Sequence, residues 1–461
     1  MQNRITLCLI AKNEEQMLPD CLESVRGAVD EMVVVDTGST DRTRDIALAA
    51  GAKVIEVPWE DDFAAPRNAA IAEVRGGFIL QLDADERLVK GGAQTLRNAV
   101  KRKDFDLGML RFHDAAAVEA SHADIISGKA RLAAPYLGPR LLRHSSDLRY
   151  EGAIHEHVTR WLIRHGDRRM AIDVDIVHLG AATSVVTSRA KHERNFRLLH
   201  KRCAAETDDP TAWGYLVWEY IKTGDFDAGR RVADTAWEML PKLSKSAYKP
   251  SILNLAVARI NLQNRAADGA GMMATAKAAM GHEGPHPDLM FLHGQGAELE
   301  AKRSTDANRR RDLFQQAKLD YRSYLEAKSR LTYALNFIPN GERFVGHTRL
   351  GTAHLMLSEY REAVTAFKQA LSNAPDHIEA LLGLLETHAL SGDGASVLNE
   401  LQPLLAEVPD AWVIGAQAAI ALGSPDDARL FCQQAVQLAQ AKKFIGMHRV
   451  GTLEALRQTL D

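Results

Sequence analysis

The sequence predicts an α/β domain built on a doubly wound sheet, followed by an all-α solenoid of helical repeats. Short apolar runs alternate with helical patterns from the N-terminus to about Phe112. Strand patterns disappear after about residue 186, and 10 of the 15 prolines lie after residue 200. We therefore expect two domains in this chain of 461 residues, residues 1–195 and residues 196–461.

The first domain contains five runs rich in β-branched residues, each typical of a strand buried on both faces. They span residues 5–11, 32–36, 53–57, 78–82 and 107–112. Helical spacing predicts four helices, at about residues 17–25, 41–50, 65–74 and 94–102. Gly27 and Gly51 follow the first two helices as C-terminal caps. Residues 172–177 alternate strictly and predict a half-buried strand, and residues 148–158 predict a strand with a loop.

The second domain shows a regular spacing of prolines. Pro210 and Pro241 are 31 residues apart, and Pro375 and Pro409 are 34 apart. Small and aromatic residues keep a fixed order in two segments, 210–241 and 344–375. This order resembles the tetratricopeptide repeat, a helix–turn–helix unit with a similar period. We expect further copies at about 376–409 and 410–441, with two degenerate ones within 247–328. An irregular helical domain is the alternative.

Composition and charge exclude several classes of protein. Hydrophobic residues make up 46% of the chain, which is enough for a large core. The 57 basic and 60 acidic residues give a net charge of −3, so we expect no nucleic acid as a partner. The four cysteines form no CxxC pair, which argues against a disulfide framework or a zinc knuckle. No apolar run approaches the length of a membrane-spanning helix, so we expect a cytoplasmic protein without a transmembrane segment.

Three carboxylates directly follow the fourth predicted strand, at Asp83, Asp85 and Glu86. Their oxygens suit Mg²⁺ or Mn²⁺, ions that bridge substrate phosphates. A solvated turn with an aspartate cap is the alternative explanation for so short a motif.

Polar side chains also follow the other predicted strands. Ligands of doubly wound sheets bind at the carboxyl ends of the strands, so these side chains meet at one crevice. The chain has neither a GxGxxG after the first strand nor a GxxxxGK[ST], which argues against a dinucleotide fold and a P-loop. The remaining pattern is typical of a nucleotide site, and its candidate members are Asn13, Glu14, Asp36, Ser39, Asp62, Arg67 and Asn68.

Four segments carry a resemblance to a known family, and three more extend it. They read LIAKNEE at 9–15, DEMVVVDTGSTDRT at 30–43, PWEDDFAAPRN at 58–68 and LDADE at 82–86, followed by PRLLRH at 139–144, YEGAIHEHV at 150–158 and IVHLG at 176–180. In order and spacing they resemble family 2 glycosyltransferases of the GT-A fold, in the subgroup with C-terminal tetratricopeptide repeats. The resemblance covers the predicted first domain almost continuously.

The resemblance implies a role for each motif. Asn13, Glu14 and Asp36 would line the pocket for the base and ribose of a nucleotide-sugar donor, with the hydroxyl of Ser39 at the same edge. The side chains along the donor would be Asp62, Arg67 and Asn68. Asp83 would contact the ribose or the metal, and Asp85 would bind the metal, with His178 as a further ligand. A histidine hydrogen-bonded to the backbone is the alternative for His178.

The general base is expected in the cluster His155-Glu156-His157, and Glu156 is favoured over His155. An ion pair of Glu156 with Arg149 or Arg160 is the structural alternative. HEH lacks the spacing of a zinc protease motif.

The function expected from these residues is that of an inverting glycosyltransferase that uses Mn²⁺ or Mg²⁺ and a nucleotide sugar, with a UDP-sugar favoured. Because tandem helical hairpins often hold peptides or proteins, the expected acceptor is a peptide or protein. A cell-surface glycan precursor such as that of lipopolysaccharide is the second choice. A repeat scaffold with a vestigial transferase domain is the alternative from another class, and a homodimer is one of the oligomeric states left open.

Overall fold

The computed structural model describes residues 3–132, 135–182, 189–207, 209–243, 251–328, 343–446 and 448–460. The described residues form two compact units, one up to Leu262 and one from Gln263 onward. The first unit thus includes helices that follow residue 195, and the domain boundary expected there stays a prediction.

One eight-stranded sheet forms the centre of the first unit, in the order β3-β2-β1-β4-β7-β6-β8-β5. The first four strands are mutually parallel, whereas β7 is antiparallel to both of its neighbours. Strand β8 runs parallel to β6, and β5 runs antiparallel to β8. The strands are β1 Ile5–Ala11, β2 Glu31–Asp36, β3 Lys53–Glu56, β4 Phe78–Gln81, β5 Glu86–Leu88, β6 Leu107–Asp114, β7 Tyr136–Arg143 and β8 Arg169–His178.

Both faces of this sheet are covered by side chains of the core. Along β1, Leu7 and Leu9 belong to one buried cluster and Cys8 to another, as the alternation of side chains along a strand requires. The prediction of strands buried on both faces is therefore confirmed for β1 and β4, whereas it is wrong for β3, whose residues are exposed or half-buried. The helices of this region are α1 Leu18–Ser24, α2 Thr43–Ala49, α3 Ala64–Ala72, α4 Gly92–Ala99, α5 His122–Ser127 and α6 Thr159–Arg164.

Several strands differ from the sequence prediction. Strand β6 extends two residues beyond the predicted end, to Asp114. Strand β5 has three residues, which is too short for a periodic pattern, and β7 contains a glycine and a proline, which weaken a strand signal. The strand expected within residues 148–158 is wrong, because that segment is a loop closed by one isolated bridge between Glu151 and His157.

Helices complete the first unit. They are α7 Arg189–Ala205, α8 Thr211–Thr223, α9 Phe226–Leu243 and α10 Leu253–Arg265, whose last turn passes the division between the units. Leu198 and Leu199 on α7 are buried against Ile154. Arg197 forms an ion pair of 2.8 Å with Asp61 in the loop before α3. Helix α7 is thus packed directly on the loops of the sheet region.

The second unit is all-helical where it is described, as the repeat pattern predicts. Its helices are α11 Gly269–Glu283, α12 Pro287–Arg303, α13 Ala307–Lys328, α14 Arg343–Met356, α15 Tyr360–Asn373, α16 Ile378–Leu390, α17 Gly394–Leu401, α18 Pro409–Ala421, α19 Pro425–Ala439 and α20 His448–Leu460. Gly351 and Gly383 lie against the buried ring of Phe367, where a Cβ atom would come within 2.7 Å and 2.3 Å of it. Small residues at these positions let adjacent hairpins approach closely. Among the described helices, none combines the length and the apolarity that a bilayer crossing requires.

Candidate functional site

The loops after β1 and β2 are joined by hydrogen bonds between predicted donor-site residues. The backbone N–H of Asn13 donates to Oγ of Ser39 at 2.9 Å, and Oδ1 of Asn13 accepts from the backbone N–H of Thr40 at 2.8 Å. Asp36, 3% exposed, accepts from the N–H of Ser39 at 3.1 Å and from its hydroxyl. Asn13 adopts a positive φ of 58°, a conformation that asparagine tolerates. These three predicted residues therefore lie together at the carboxyl ends of the two strands.

Glu14 lies in the negative field of the carboxylates that follow β4. Its pKa is raised to about 7, first by burial and then by the charges of Asp85, Asp41 and Asp83. A cation placed beside these carboxylates would relieve their repulsion. The loop after β1 thus adds an acidic group to the same edge of the sheet.

Arg67 connects two predicted site residues that are distant in sequence. It lies on α3 and is 8% exposed. Its Nη2 donates to Oδ1 of Asp83 at 2.9 Å, and its Nε donates to Oε1 of Glu156. The guanidinium holds the pKa of Asp83 below its usual range, against the opposing effect of burial. Glu156 is thus ion-paired with Arg67, whereas the sequence-based alternatives named Arg149 or Arg160 as its partner.

Glu86 is a buried carboxylate with a dedicated partner. It is 1% exposed and accepts two hydrogen bonds from Arg140 on β7, from Nε at 3.0 Å and from Nη2 at 2.5 Å. Burial raises the pKa of Glu86 despite the pairing. Nη2 of Arg140 also lies 3.7 Å from Oδ2 of Asp83. Arg140 therefore balances the charge of two of the three carboxylates that follow β4, and sequence reasoning assigned it no role.

Asp85 differs from its two neighbours because part of its carboxylate is unpaired. Its Oδ1 atom is buried and, among the described residues, has no hydrogen-bond partner. Its Oδ2 atom lies 3.7 Å from Nε2 of His178, at the end of β8. Gly180 makes room for this carboxylate, since a Cβ atom there would lie 1.8 Å from Oδ2. A buried carboxylate oxygen beside a histidine nitrogen fits a divalent cation such as Mn²⁺.

His178 contacts a second carboxylate on its other side. Its Nδ1 lies 2.8 Å from Oδ1 of Asp114. Hydrogen bonds with Asp114 and Asp85 raise the pKa of the ring to about 10, although its burial works in the opposite direction. The alternative expected for His178, a bond to the backbone, is not the observed arrangement of its ring nitrogens. Asp114 was missed because the predicted strand ends at residue 112.

Two other predicted residues have contacts of a structural kind. Asp62 caps helix α3, because its Oδ1 accepts from the backbone N–H groups of Ala64 and Ala65 at 2.8 Å and 3.2 Å. Asn68 forms a pair of hydrogen bonds of 3.0 Å and 2.8 Å with the backbone of Tyr150. These contacts shape the site, while direct contact of Asp62 and Asn68 with a donor stays a prediction.

His155 lies beside an aromatic side chain of α8. Its ring stacks on the ring of Tyr215, with centroids 3.9 Å apart and planes inclined by 12°. The residue has a positive φ of 52°. This contact orients the loop that carries Glu156, and a catalytic role of His155 itself stays a prediction.

A second group of ligand-type side chains lies between the 150–158 loop and helix α8. It comprises His157, Glu206 and Asp209, whose candidate ligand atoms are within 4.8 Å of one another. Nδ1 of His157 accepts from the backbone N–H of Thr159 at 3.3 Å, so the hydrogen of the neutral ring is on Nε2. Glu206 accepts from Nε of Arg202 at 2.9 Å. Nε2 of His157 lies 3.8 Å from Oδ2 of Asp209 and has no hydrogen-bond partner among the described residues. The contacts of Nδ1 and of Glu206 make this group a polar junction of the first unit.

Two family models match segments of the chain. Residues 6–155 match the family model described as Glycosyl transferase family 2, and residues 354–420 match the one described as Tetratricopeptide repeat. A TPR repeat-containing protein of Synechococcus elongatus is 33% identical over 235 residues, which are 50% of this chain and 55% of that protein. An uncharacterized glycosyltransferase of Rickettsia bellii is 37% identical over 90 residues, 20% of this chain and 30% of the relative. The chain thus spans about half or less of these relatives.

A solved structure is also similar to part of the chain. It is glucosyl-3-phosphoglycerate synthase of Mycobacterium tuberculosis, in complex with Mn²⁺, uridine diphosphate and phosphoglyceric acid. The identity is 24%, the TM-score is 0.21, and the match covers 24% of this chain and 43% of that one.

Proposed function

Because residues 6–155 form a domain of glycosyl transferase family 2, we propose that this protein transfers a sugar from a nucleoside-diphosphate sugar, with UDP as the favoured nucleotide, to an acceptor. The observation that carries the proposal is the carboxylate run after β4, where one buried oxygen of Asp85 has no hydrogen-bond partner among the described residues and the other lies 3.7 Å from Nε2 of His178. Such a crevice at the carboxyl ends of parallel strands is where doubly wound sheets bind nucleotides.

The donor would lie along the joined loops after β1 and β2. We assign the base and ribose to the surface formed by Asn13, Glu14, Asp36 and Ser39, and the diphosphate to the side of Asp83 and Asp85. Asp85 and His178 would hold Mn²⁺ or Mg²⁺, whose charge stabilises the diphosphate leaving group. The carboxylates of this edge repel an uncompensated diphosphate, so donor binding should depend on the cation.

The chain's own residues would mainly position the reactants. The guanidinium of Arg67 contacts both Glu156 and Asp83, which fixes the 150–158 loop relative to the carboxylates that follow β4. We propose that Oε2 of Glu156 takes the proton that the acceptor's nucleophile loses, since Oε1 accepts a hydrogen bond from Arg67. Attack of the acceptor on the anomeric carbon, from the face opposite the diphosphate, would invert the configuration at that carbon.

The acceptor proposed is a peptide or protein held by the helical repeats. Tandem helical hairpins present extended surfaces that suit such partners. Incubation of the purified chain with a labelled donor and a cell extract would test this proposal. Label that becomes protease-sensitive supports a protein acceptor, and label that stays in a protease-resistant glycan fraction contradicts it.

Donor and metal are tested together by thermal shift. Nucleotide sugars are screened with and without Mn²⁺, and the true donor should raise the melting temperature only when the cation is present. Asp85→Asn should lose this shift. Asp45→Asn, on the exposed surface of α2, is the matched control and should keep it. A wild-type chain that binds no nucleotide sugar with Mn²⁺ would contradict the proposal and favour a vestigial domain.

A further inference from the structure

The carboxylate of Asp114 contacts His178 on the side remote from Asp85. We propose that Asp114 is a positioning residue, which turns Nε2 of His178 toward the cation held beside Asp85. The inference rests on the proposed function, and it names a residue outside all of the motifs that suggested that function.

The position of Asp114 follows from the register of the sheet. Strands β6 and β8 are parallel neighbours, and Asp114 is paired with His178 at the end of both strands. Oδ1 of Asp114 lies 2.8 Å from Nδ1 of His178. The same oxygen accepts a bond of 3.3 Å from the hydroxyl of Tyr136, at the start of β7. Residues of two other strands, β8 and β7, therefore hold the carboxylate of Asp114 in place.

The contact selects one tautomer of the imidazole. An ionised carboxylate can only accept a hydrogen bond, so Nδ1 of His178 carries the hydrogen in this contact. In a neutral ring, the lone pair is then on Nε2, the atom 3.7 Å from Oδ2 of Asp85. Two ligand atoms that each lie about 2.1 Å from one cation are roughly 3–4 Å apart, which matches this separation. A carboxylate partner on the remote nitrogen is the usual support of a metal-binding histidine.

A second histidine on β6 shows what a purely structural pair looks like in the same sheet. Nε2 of His113 lies 2.8 Å from Oδ1 of Asp175, and its Nδ1 lies 3.2 Å from Nη1 of Arg131. Protein groups thus contact both of its ring nitrogens. His178 has the carboxylate of Asp114 on one side. Its other nitrogen lies 3.7 Å from Oδ2 of Asp85, whose Oδ1 has no hydrogen-bond partner among the described residues. This difference separates a positioning carboxylate from a structural one.

The test measures Mn²⁺ binding to the full chain by electron paramagnetic resonance, with no substrate present. Asp114→Asn should weaken Mn²⁺ binding by about 10–100-fold, because the amide can donate to Nδ1 and so favours the wrong tautomer. Asp175→Asn is the matched control: it removes the carboxylate partner of His113, and its affinity for Mn²⁺ should stay close to that of the wild type. Equal affinity of Asp114→Asn and wild type would overturn the inference while leaving the proposed metal site intact.

A measurement on the wild type covers the case in which Asp114→Asn does not fold. In chain loaded with Zn²⁺ as a diamagnetic substitute, ¹⁵N resonances of His178, assigned by their loss in His178→Gln, should show a protonated Nδ1 and a coordinated Nε2. A protonated Nε2 would overturn the inference. A wild type that binds no divalent cation would overturn both the inference and the proposed metal dependence.

Discussion

The charges around Arg449 in the second unit and around Asp85 in the first are compensated to different extents. In the second unit, Arg449 is 1% exposed and contacts Glu386 at 2.7 Å and Asp410 at 3.0 Å, so each carboxylate has a cationic partner. In the first unit, Asp85 keeps a buried oxygen for which the described residues supply no partner. A closed network of buried charges fixes a structure, whereas a buried carboxylate with an unpaired oxygen costs stability that a ligand can return. The comparison therefore separates structural charges from functional ones.

Replacement of Arg449, the cation between Glu386 and Asp410, is expected to have the largest effect on stability. Arg449→Met should destabilise the helices from α16 to α20 by about 3–5 kcal/mol, because Glu386 and Asp410 stay buried without their partner. Thermal unfolding followed by circular dichroism would show an earlier transition. Donor-induced stabilisation of the first unit is the internal control and should persist. An unchanged transition would mean that the buried network does not stabilise the unit.

The opposite result is expected at the unpaired carboxylate. Asp85→Asn should reduce kcat/KM by about 10²–10³-fold, because the leaving diphosphate loses its cation. Its melting temperature without metal should stay close to that of the wild type, since the variant loses the contact with His178 but relieves the repulsion between Asp85 and Glu14. Activity and unfolding are measured on the same preparations. A variant that is less stable than the wild type without metal would place Asp85 among the structural charges.

Two separate ion pairs of buried glutamates, Glu386 with Arg449 and Glu298 with Arg349, should also make the second unit sensitive to acid. The pKa of Glu386 and that of Glu298 are both lowered to about 2, against the effect of burial, by Arg449 and by Arg349 respectively. A lowered folded-state pKa gives stability that is complete above about pH 4.5 and is lost as the pH falls toward 2. Each glutamate should contribute up to about 3 kcal/mol at neutral pH.

Melting curves between pH 6 and pH 3 would measure this loss. Glu386→Gln should lower the melting temperature at pH 6 and flatten its dependence on pH, because one of the two titrating groups is gone. A variant that keeps the full pH dependence would show that other groups cause the acid sensitivity.

The sequence predicted the strands and the helical repeats well because both depend on local periodicity. The alternation in β1 and the Asp83–Glu86 run were visible in single segments. The partners of those carboxylates were not visible, since Arg140 and Asp114 reach the site through strand register, which no local pattern reports. Part of the segment 148–158 was predicted to be a strand. The prediction failed because a loop held by long-range contacts can contain the same apolar residues as a strand.

The smallest expected effect concerns a residue that supports the site without an ionic charge. The side-chain amide of Asn68 on α3 forms two hydrogen bonds with the backbone of Tyr150, as a neighbouring strand would. It donates to the carbonyl of Tyr150 at 3.0 Å and accepts from its N–H at 2.8 Å. Asn68→Ala should cost about 1–2 kcal/mol of stability, since two polar backbone groups lose their partner. It should lower kcat by roughly tenfold through misplacement of the loop that carries Glu156.

Asn68→Asp sharpens this prediction because it changes one contact only. The carboxylate can still accept from the N–H of Tyr150, but it repels the carbonyl oxygen. If Asn68 acts by positioning the loop, both variants should lower kcat with little change in the affinity for the donor and Mn²⁺. A loss confined to donor affinity would instead support the direct contact with the donor that the motif implies. The ratio of these two effects thus decides whether Asn68 belongs with the structural groups of the unit or with its ligand-binding ones.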